Sequence, residues 1–296
     1  MRAVKTILVA AGNLKQARSA ESEDVLTLCA INDVNLPKFT TNDLPLFKGI
    51  TSDLFPGVEL PPPNYGALGD SLRATIMQKG LQPKEEFTTK CIQLYETIVV
   101  RHGLMIVGQT MAGKTSVLHS LRAAMSAIKS QPGFANVRLH TLNPKSVKQT
   151  QLYGAFDENT HEWTDGILAV TIRKCTKDTS KARKWVVFDG PVDAVWIENM
   201  NTVLDDNMML CLANGERVSL HVTMRMIFEV QDLEQASPAT VSRLGVVYLT
   251  DEELGWEPFA ASWLRTVFNE PSEADEAAGG LEARLRLVTR LVTGNQ

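Results

Sequence analysis

Gly108-Gln109-Thr110-Met111-Ala112-Gly113-Lys114-Thr115 follows the pattern G-x-x-x-x-G-K-[ST]. The chemistry accounts for the spacing. Two glycines let the backbone curl until successive N–H groups point at a triphosphate, the lysine reaches the β- and γ-phosphates, and the threonine hydroxyl binds Mg²⁺. The flanks supply the context that such a loop needs. Leu104-Met105-Ile106-Val107 reads as a buried strand entering it. Residues 114–130 read as the helix leaving it, with Val117, Leu118, Leu121, Ala124, Met125 and Ile128 on its apolar face. The positive end of that helix then lies under the phosphates.

Composition sets the outer limits. The 296 residues suffice for one large domain, or for one domain with part of a neighbour. A hydrophobic fraction of 44% is that of a globular protein. No apolar run approaches the roughly 20 residues of a membrane span, and the first residues show no signal-peptide pattern. Cys29, Cys91, Cys175 and Cys211 are far apart and lack C-x-x-C spacing, which predicts a reduced, intracellular protein. The net charge of -4 comes from the stretch after residue 250, with its nine acids and four arginines, and no basic stripe favours nucleic acid. No metal-ligand spacing links the five histidines, and His161-Glu162 is not H-E-x-x-H because position 165 is Asp.

Three regions differ in texture. Residues 1–56 read as short helices. Val4, Ile7, Leu8 and Ala11 have helical spacing, with Gly12-Asn13 as a stop. A second helix starts near Ser22 and ends before Pro37. A third starts at Thr41-Asn42-Asp43 with Pro45 in its first turn. Residues 57–250 begin with the Pro61-Pro62-Pro63 turn and two more helical patterns. An α/β region follows, with buried strands expected at 104–107, 138–142, 185–189, 224–230 and 246–249. Helices or longer connections between them predict a five-stranded parallel sheet covered on both faces. Asn214-Gly215 reads as a hairpin turn. Residues 251–296 read as one or two helices with an Ala/Glu/Gly-rich break near 273–280.

The second half of a phosphate site also shows. Trp185-Val186-Val187-Phe188-Asp189 is an apolar run ending in an acid, so the Asp189 carboxylate is placed to hold a Mg²⁺ shell together with Thr115. ATPases of the AAA+ type usually follow this Asp with a water-polarising Glu. Gly190-Pro191 stands here instead, and glycine can neither orient nor deprotonate water. Asp193 lies beyond that turn and is a poor candidate for the base. Residues 193–205 read as one helix, with Trp196, Met200, Val203 and Leu204 at core spacing. At the end of the fourth strand Glu229, Gln231 and Asp232 compete for the role of polar sensor. Arg243, just before the fifth strand, reads either as an arginine finger for a neighbouring module or as a surface arginine capping a helix C-terminus.

Longer matches carry a resemblance. Asn143-Pro144-Lys145, Gln151-Leu152-Tyr153-Gly154, the seven residues from Thr160 to Gly166, the run from Phe188 to Asn207, Ile227-Phe228-Glu229-Val230-Gln231-Asp232-Leu233 and Ala239-Thr240-Val241-Ser242-Arg243 resemble the dynein heavy chain, and lean toward its axonemal branch. The resemblance covers nearly the whole chain. It implies the second of six AAA+ modules in a motor ring, preceded by the small helical subdomain that closes the first module. It implies binding of ATP or ADP with Mg²⁺ by Gly108, Gln109, Thr110, Met111, Ala112, Gly113, Lys114, Thr115 and Asp189, with little hydrolysis. It implies Arg243 as a finger acting in trans and Arg2 as the sensor arginine of the preceding module. The implied partners are neighbouring modules and the mechanical linker, with intermediate chains, light chains and microtubules reached through the rest of the motor. The implied location is the axoneme of a cilium or flagellum. Met111-Ala112 departs from the usual small pair before Gly113, which leaves the backbone donors intact. The Trp163 segment falls among insertions that face the linker in that family. The rival expectations are a free-standing phosphate-loop kinase for a small molecule, or a scaffold with an empty site.

Overall fold

The computed structural model describes residues 2–36, 43–58, 65–205, 207–250 and 254–267, together with Phe39 and Leu60. Helices lead: α1 (Arg2–Ala17), α2 (Glu23–Asn35), α3 (Leu44–Leu54), α4 (Gly66–Gln78) and α5 (Glu85–Val100). The α/β region runs β1 (Gly103–Val107), α6 (Lys114–Ala127), β2 (Val137–Leu142), α7 (Gln149–Tyr153), the hairpin β3 (Gly154–Phe156) and β4 (Trp163–Asp165), α8 (Ile167–Lys177) and β5 (Arg183–Asp189). It continues with α9 (Ala194–Glu198), α10 (Asn201–Leu204), the hairpin β6 (Met209–Cys211) and β7 (Arg217–Ser219), β8 (Met224–Val230), α11 (Pro238–Val241) and β9 (Gly245–Tyr248). Helix α12 (Glu257–Val267) follows.

Five strands form one sheet in the order β2-β5-β8-β1-β9, and every pair is parallel. Those are the five strands expected from the apolar runs. A parallel strand covered on both faces reads as an unbroken apolar run: β1 is buried at all five positions, whereas the edge strand β2 is buried only at Val137. One core lies on each face. Leu72, Ile76, Leu94, Ile98, Leu118 and Leu121 from α4, α5 and α6 cover one side together with Trp185 and Ile227. On the other, Leu168, Ile172, Trp196 and Met200 from α8, α9 and the α9–α10 turn meet Phe188 and Phe228, whose rings stack at 4.8 Å. This α/β/α arrangement is that of an AAA+ phosphate-loop NTPase.

Two local expectations need correction. Gly12-Asn13 does not stop the first helix; α1 continues to Ala17. Ala10 of α1 and Ala30 and Val34 of α2 form a small core with Ile7, Leu14 and Val100. One interior glycine costs only about 1 kcal/mol, less than that packing returns. Val4 and Leu8 are exposed, so they lie off the buried face of α1. Residues 193–205 are also two short helices rather than one. The Met200 amide bonds to Ile197 O in a three-residue turn, which lets Trp196, Ile197, Met200, Val203 and Leu204 all reach the core. Helix α3 begins at Leu44 with Pro45 in its first turn, and Pro61-Pro62-Pro63 lie outside the described residues. Ser22 caps α2 by accepting from the Val25 amide, and Asn214-Gly215 turns the β6–β7 hairpin. Thr41 and Asn42 lie outside the described residues, and so does the break expected near 273–280.

Candidate nucleotide site

The loop from Gly108 to Gly113 leaves the C-terminal end of β1, an interior strand between β8 and β9. This is where ligands sit in open parallel sheets. Its start is pinned on both sides: the Gly108 amide donates to Val230 O of β8 at 3.2 Å, and the Leu249 amide donates to Val107 O at 2.8 Å. Position 108 has no room for a side chain, because a Cβ there would lie 2.3 Å from the Leu249 carbonyl oxygen. Gly113 caps α6 with φ +86, in the left-handed region open to glycine. Met111 also has positive φ, at 75, and its side chain is exposed. The loop therefore curls as the motif requires, with Ala112 turned into the core.

The polar side chains converge beneath it. The Lys114 ammonium donates to the carbonyls of Gly108 and Gln109, at 2.7 and 2.8 Å, and bridges the loop's entry. The Thr115 hydroxyl donates to Oε2 of Glu229 at 2.6 Å. Gln231 reaches the loop as well, its amide donating to Oε1 of Gln109 at 2.7 Å. Asp232 turns away and caps the Glu234 amide. In the ladder Glu229 pairs with Ile106 on one side and Asp189 on the other. The two acids thus occupy adjacent strand ends, Glu229 buried and Asp189 exposed. Burial raises the Glu229 pKa above its ordinary value; the Thr115 bond and the Lys114 charge oppose this and the Asp189 charge adds to it. Burial lowers the Lys114 pKa, while Glu229 and Asp189 both act to raise it.

Two positions follow the Asp189 strand end. Position 190 has no side chain and contributes only its amide, which donates to Glu229 O at 3.3 Å and extends the β5–β8 ladder. Asp193 is engaged by Lys145, with Nζ to Oδ2 at 2.6 Å. A hollow of about 140 Å³ opens on the other side of the loop, between Leu81, Phe87, Met111, Leu254 and Phe259. No pattern in the sequence pointed to it, since its walls come from segments far apart in the chain.

The two arginines stand elsewhere. Arg243 lies between α11 and β9, its Nε donating to Asp205 at 2.7 Å and its Nη1 to Ala239 O at 2.7 Å. Arg2 begins α1, and its side chain lies outside the described residues.

The donor set of the site suits a magnesium nucleotide. A hydroxyl and two carboxylates are hard oxygen ligands, which match Mg²⁺ and not a thiophilic metal. Among the described residues no cluster of three or more His, Cys, Asp or Glu could hold a metal. Mg²⁺ would therefore need phosphate oxygens and water to complete its shell, as it does with nucleotides. Among the described residues no helix is long and apolar enough to cross a membrane.

Comparison with known proteins agrees with this geometry. Residues 1–115 match the family described as the hydrolytic ATP binding site of dynein motor region, and residues 103–244 match the AAA domain of the dynein-related subfamily. The chain is 51% identical over 277 residues to mouse dynein axonemal heavy chain 12, covering 93% of this chain and 9% of that protein. It is 54% identical over 272 residues to human dynein axonemal heavy chain 1, covering 90% of this chain and 6% of that protein. Against mouse dynein axonemal heavy chain 3 the identity is 53% over 270 residues, 90% of this chain and 7% of the other. The chain thus spans less than a tenth of the length of these relatives. With a dynein-related phosphate loop on a five-stranded parallel sheet and half its residues shared with axonemal heavy chains, the chain belongs to the dynein heavy chain family.

Proposed function

We propose that this chain is the second AAA+ module of an axonemal dynein motor, joined to the helical end of the first, and that it holds Mg-ATP or Mg-ADP while hydrolysing it poorly. Residues 1–56 would close the preceding module, 57–250 carry the nucleotide, and 251–296 lead toward the small subdomain that follows. The single observation that supports the slow site is the bare position 190. Loop, lysine, threonine and acids converge, yet the place for a water-polarising acid holds glycine, and Asp193 is tied to Lys145.

Each residue has a physical task in this reading. The loop amides other than that of Ala112, which donates to Gln109 O, would face the phosphates, and Lys114 has a third N–H beyond the two that clamp the loop. Thr115 and Asp189 hold Mg²⁺, which neutralises phosphate charge when bound. The hollow beside Phe87 and Phe259 seats the base. Arg243 serves the neighbouring active site in trans, and Arg2 belongs to that site as its sensor. Asp205 and the Ala239 carbonyl hold the Arg243 guanidinium in a set direction, which suits a group that must reach across an interface already oriented. The other partners are adjacent ring modules, the linker, and microtubules with intermediate and light chains through the full motor, in the axoneme of a cilium or flagellum.

Nucleotide binding by the chain, measured by calorimetry with and without Mg²⁺, tests the proposal. Micromolar or tighter Mg-nucleotide affinity without phosphate transfer to small acceptors is the expected result. Transfer to a metabolite would make it a kinase, and no binding would leave a scaffold.

A further inference from the structure

We infer that Glu229 is a second carboxylate of the metal shell and the residue that orients the Thr115 hydroxyl toward the ion. The inference rests on the nucleotide-site reading above and assigns a role to a residue that the loop and the β5 acid do not account for.

Three observations carry it. The Thr115 hydroxyl has one proton, and it goes to Oε2 of Glu229 at 2.6 Å. A hydroxyl that gives its proton to a carboxylate turns its oxygen lone pairs away from that carboxylate, open to a cation. Glu229 therefore sets the Thr115 rotor in the orientation a metal needs. Second, strand register places Glu229 directly beside Asp189 on β5 and Ile106 on β1, under the loop. Two carboxylates at adjacent strand ends repel each other, and a dication between them and the phosphates relieves that repulsion. Third, the Glu229 residue is only 4% exposed. Burying a carboxylate without compensation is costly, so its place is explained by the charge it faces. The Thr115 bond and the Lys114 charge offset part of that cost, but the ammonium's own bonds are to the loop carbonyls and not to Glu229.

The reach of Glu229 also separates it from the missing base. Its bond is to the hydroxyl at the metal side of the loop, one strand away from position 190. It thus strengthens metal retention and leaves the water without a base, which is the combination a nucleotide-holding module needs.

The test is the ratio of nucleotide dissociation constants in EDTA and in Mg²⁺, measured by calorimetry with ADP for wild type, Glu229→Gln, Glu229→Asp and Lys114→Ala. Glutamine can still accept from Thr115 and fills the same volume, but has no charge. We expect Mg²⁺ to tighten wild-type binding at least tenfold, and Glu229→Gln to lose most of that gain while its affinity in EDTA is unchanged or improved. Glu229→Asp keeps the charge but draws it back from Thr115, and should lose at least threefold of the gain. It carries the test alone if the glutamine variant does not fold. Electron paramagnetic resonance of Mn²⁺ titrated into the ADP complex should show the same order of metal affinities. Lys114→Ala should weaken binding in both media and leave the ratio unchanged. A merely structural Glu229 would lower affinity equally in EDTA and in Mg²⁺, and that result overturns the inference. So does a wild-type ratio near one, or a wild-type ratio retained by the folded variants. Absence of any nucleotide binding by wild type would remove the nucleotide-site reading itself, and the inference with it.

Discussion

Replacing Glu96 by Gln should stabilise the protein above neutral pH and leave it unchanged in acid. Glu96 stands on α5 facing α2, where a cavity of about 320 Å³ lies between Cys29, Asp33, Tyr65, Gln93 and Glu96. Asp33 of α2 faces the same space, and the Tyr65 hydroxyl donates to Glu96. Burial and the neighbouring Asp33 charge push the Glu96 pKa up to about 8. Burial pushes Asp33 up to about 6, with Arg18 opposing. An acid whose pKa is higher in the folded state gives up its proton more readily when the chain unfolds. The stability it confers is complete below the ordinary carboxylate value of about 4.5 and is lost progressively as pH rises through about 8. Each pH unit of displacement is worth about 1.4 kcal/mol, and water entering the cavity reduces the total, so a loss of roughly 1–3 kcal/mol by pH 8.5 is reasonable. Glutamine has no proton to lose and still accepts from Tyr65. Thermal melts from pH 5 to 8.5 should show Glu96→Gln melting several degrees above wild type at the alkaline end, at about 2–4 °C per kcal/mol, and level with it at pH 5. A constant difference between the two proteins across that range would refute the reasoning, because it would mean that Glu96 is charged in the folded state throughout.

The remaining predictions concern the nucleotide and its neighbours. Lys114→Ala removes a charge-assisted phosphate contact worth roughly 1.5–3 kcal/mol, so nucleotide affinity should fall at least tenfold; equal affinity by calorimetry would discard the phosphate-loop assignment. Gly108→Ala forces a Cβ to within 2.3 Å of the Leu249 carbonyl oxygen, and since that atom is backbone, the loop or β9 must move. A loss of about 1–3 kcal/mol and of nucleotide binding is expected, and an alanine variant with wild-type melting and affinity would contradict the tight approach. Arg243→Ala should cost the chain about 1 kcal/mol through its bond to Asp205 and barely change its own nucleotide affinity. In a full motor the same change should lower hydrolysis at the preceding module by roughly 10³–10⁵-fold, and unchanged motor ATPase would leave Arg243 a structural residue.

Much of this architecture is written locally, and the rest is not. Strands β1, β5, β8 and β9 were readable because most of their residues are buried and so form an apolar run, as Trp185 to Phe188 does, whereas the edge strand β2 is buried only at Val137. The loop was readable because its glycines and lysine are fixed by phosphate chemistry. Reading failed where tertiary packing outweighed a local signal. Gly12 weakens a helix by little, and the Ala10–Ala30 contact keeps α1 intact past it. The turn at Met200 preserves core burial while breaking the helix, so hydrophobic spacing alone could not reveal it. Which of Glu229, Gln231 and Asp232 bonds Thr115 could not be read from the sequence. Alternation along β8 does not say which residue meets Thr115; pairing with Asp189 and Ile106 does. The hollow beside the loop joins Leu81 to Phe259, a separation that no window of sequence spans.

The central claim is a site that keeps its nucleotide and does not spend it. The most direct measurement is the fate of bound ATP. The protein is loaded with Mg-ATP, passed through a desalting column, held at 25 °C, quenched in acid at intervals, and its nucleotide counted as ATP and ADP. A water-activating group usually contributes about 10²–10⁴ in rate, so a site with glycine at position 190 should retain near-stoichiometric nucleotide that is still mostly ATP after many minutes. Lys114→Ala should emerge from the column empty. Rapid conversion to ADP at several turnovers per second, abolished by Lys114→Ala, would contradict the account.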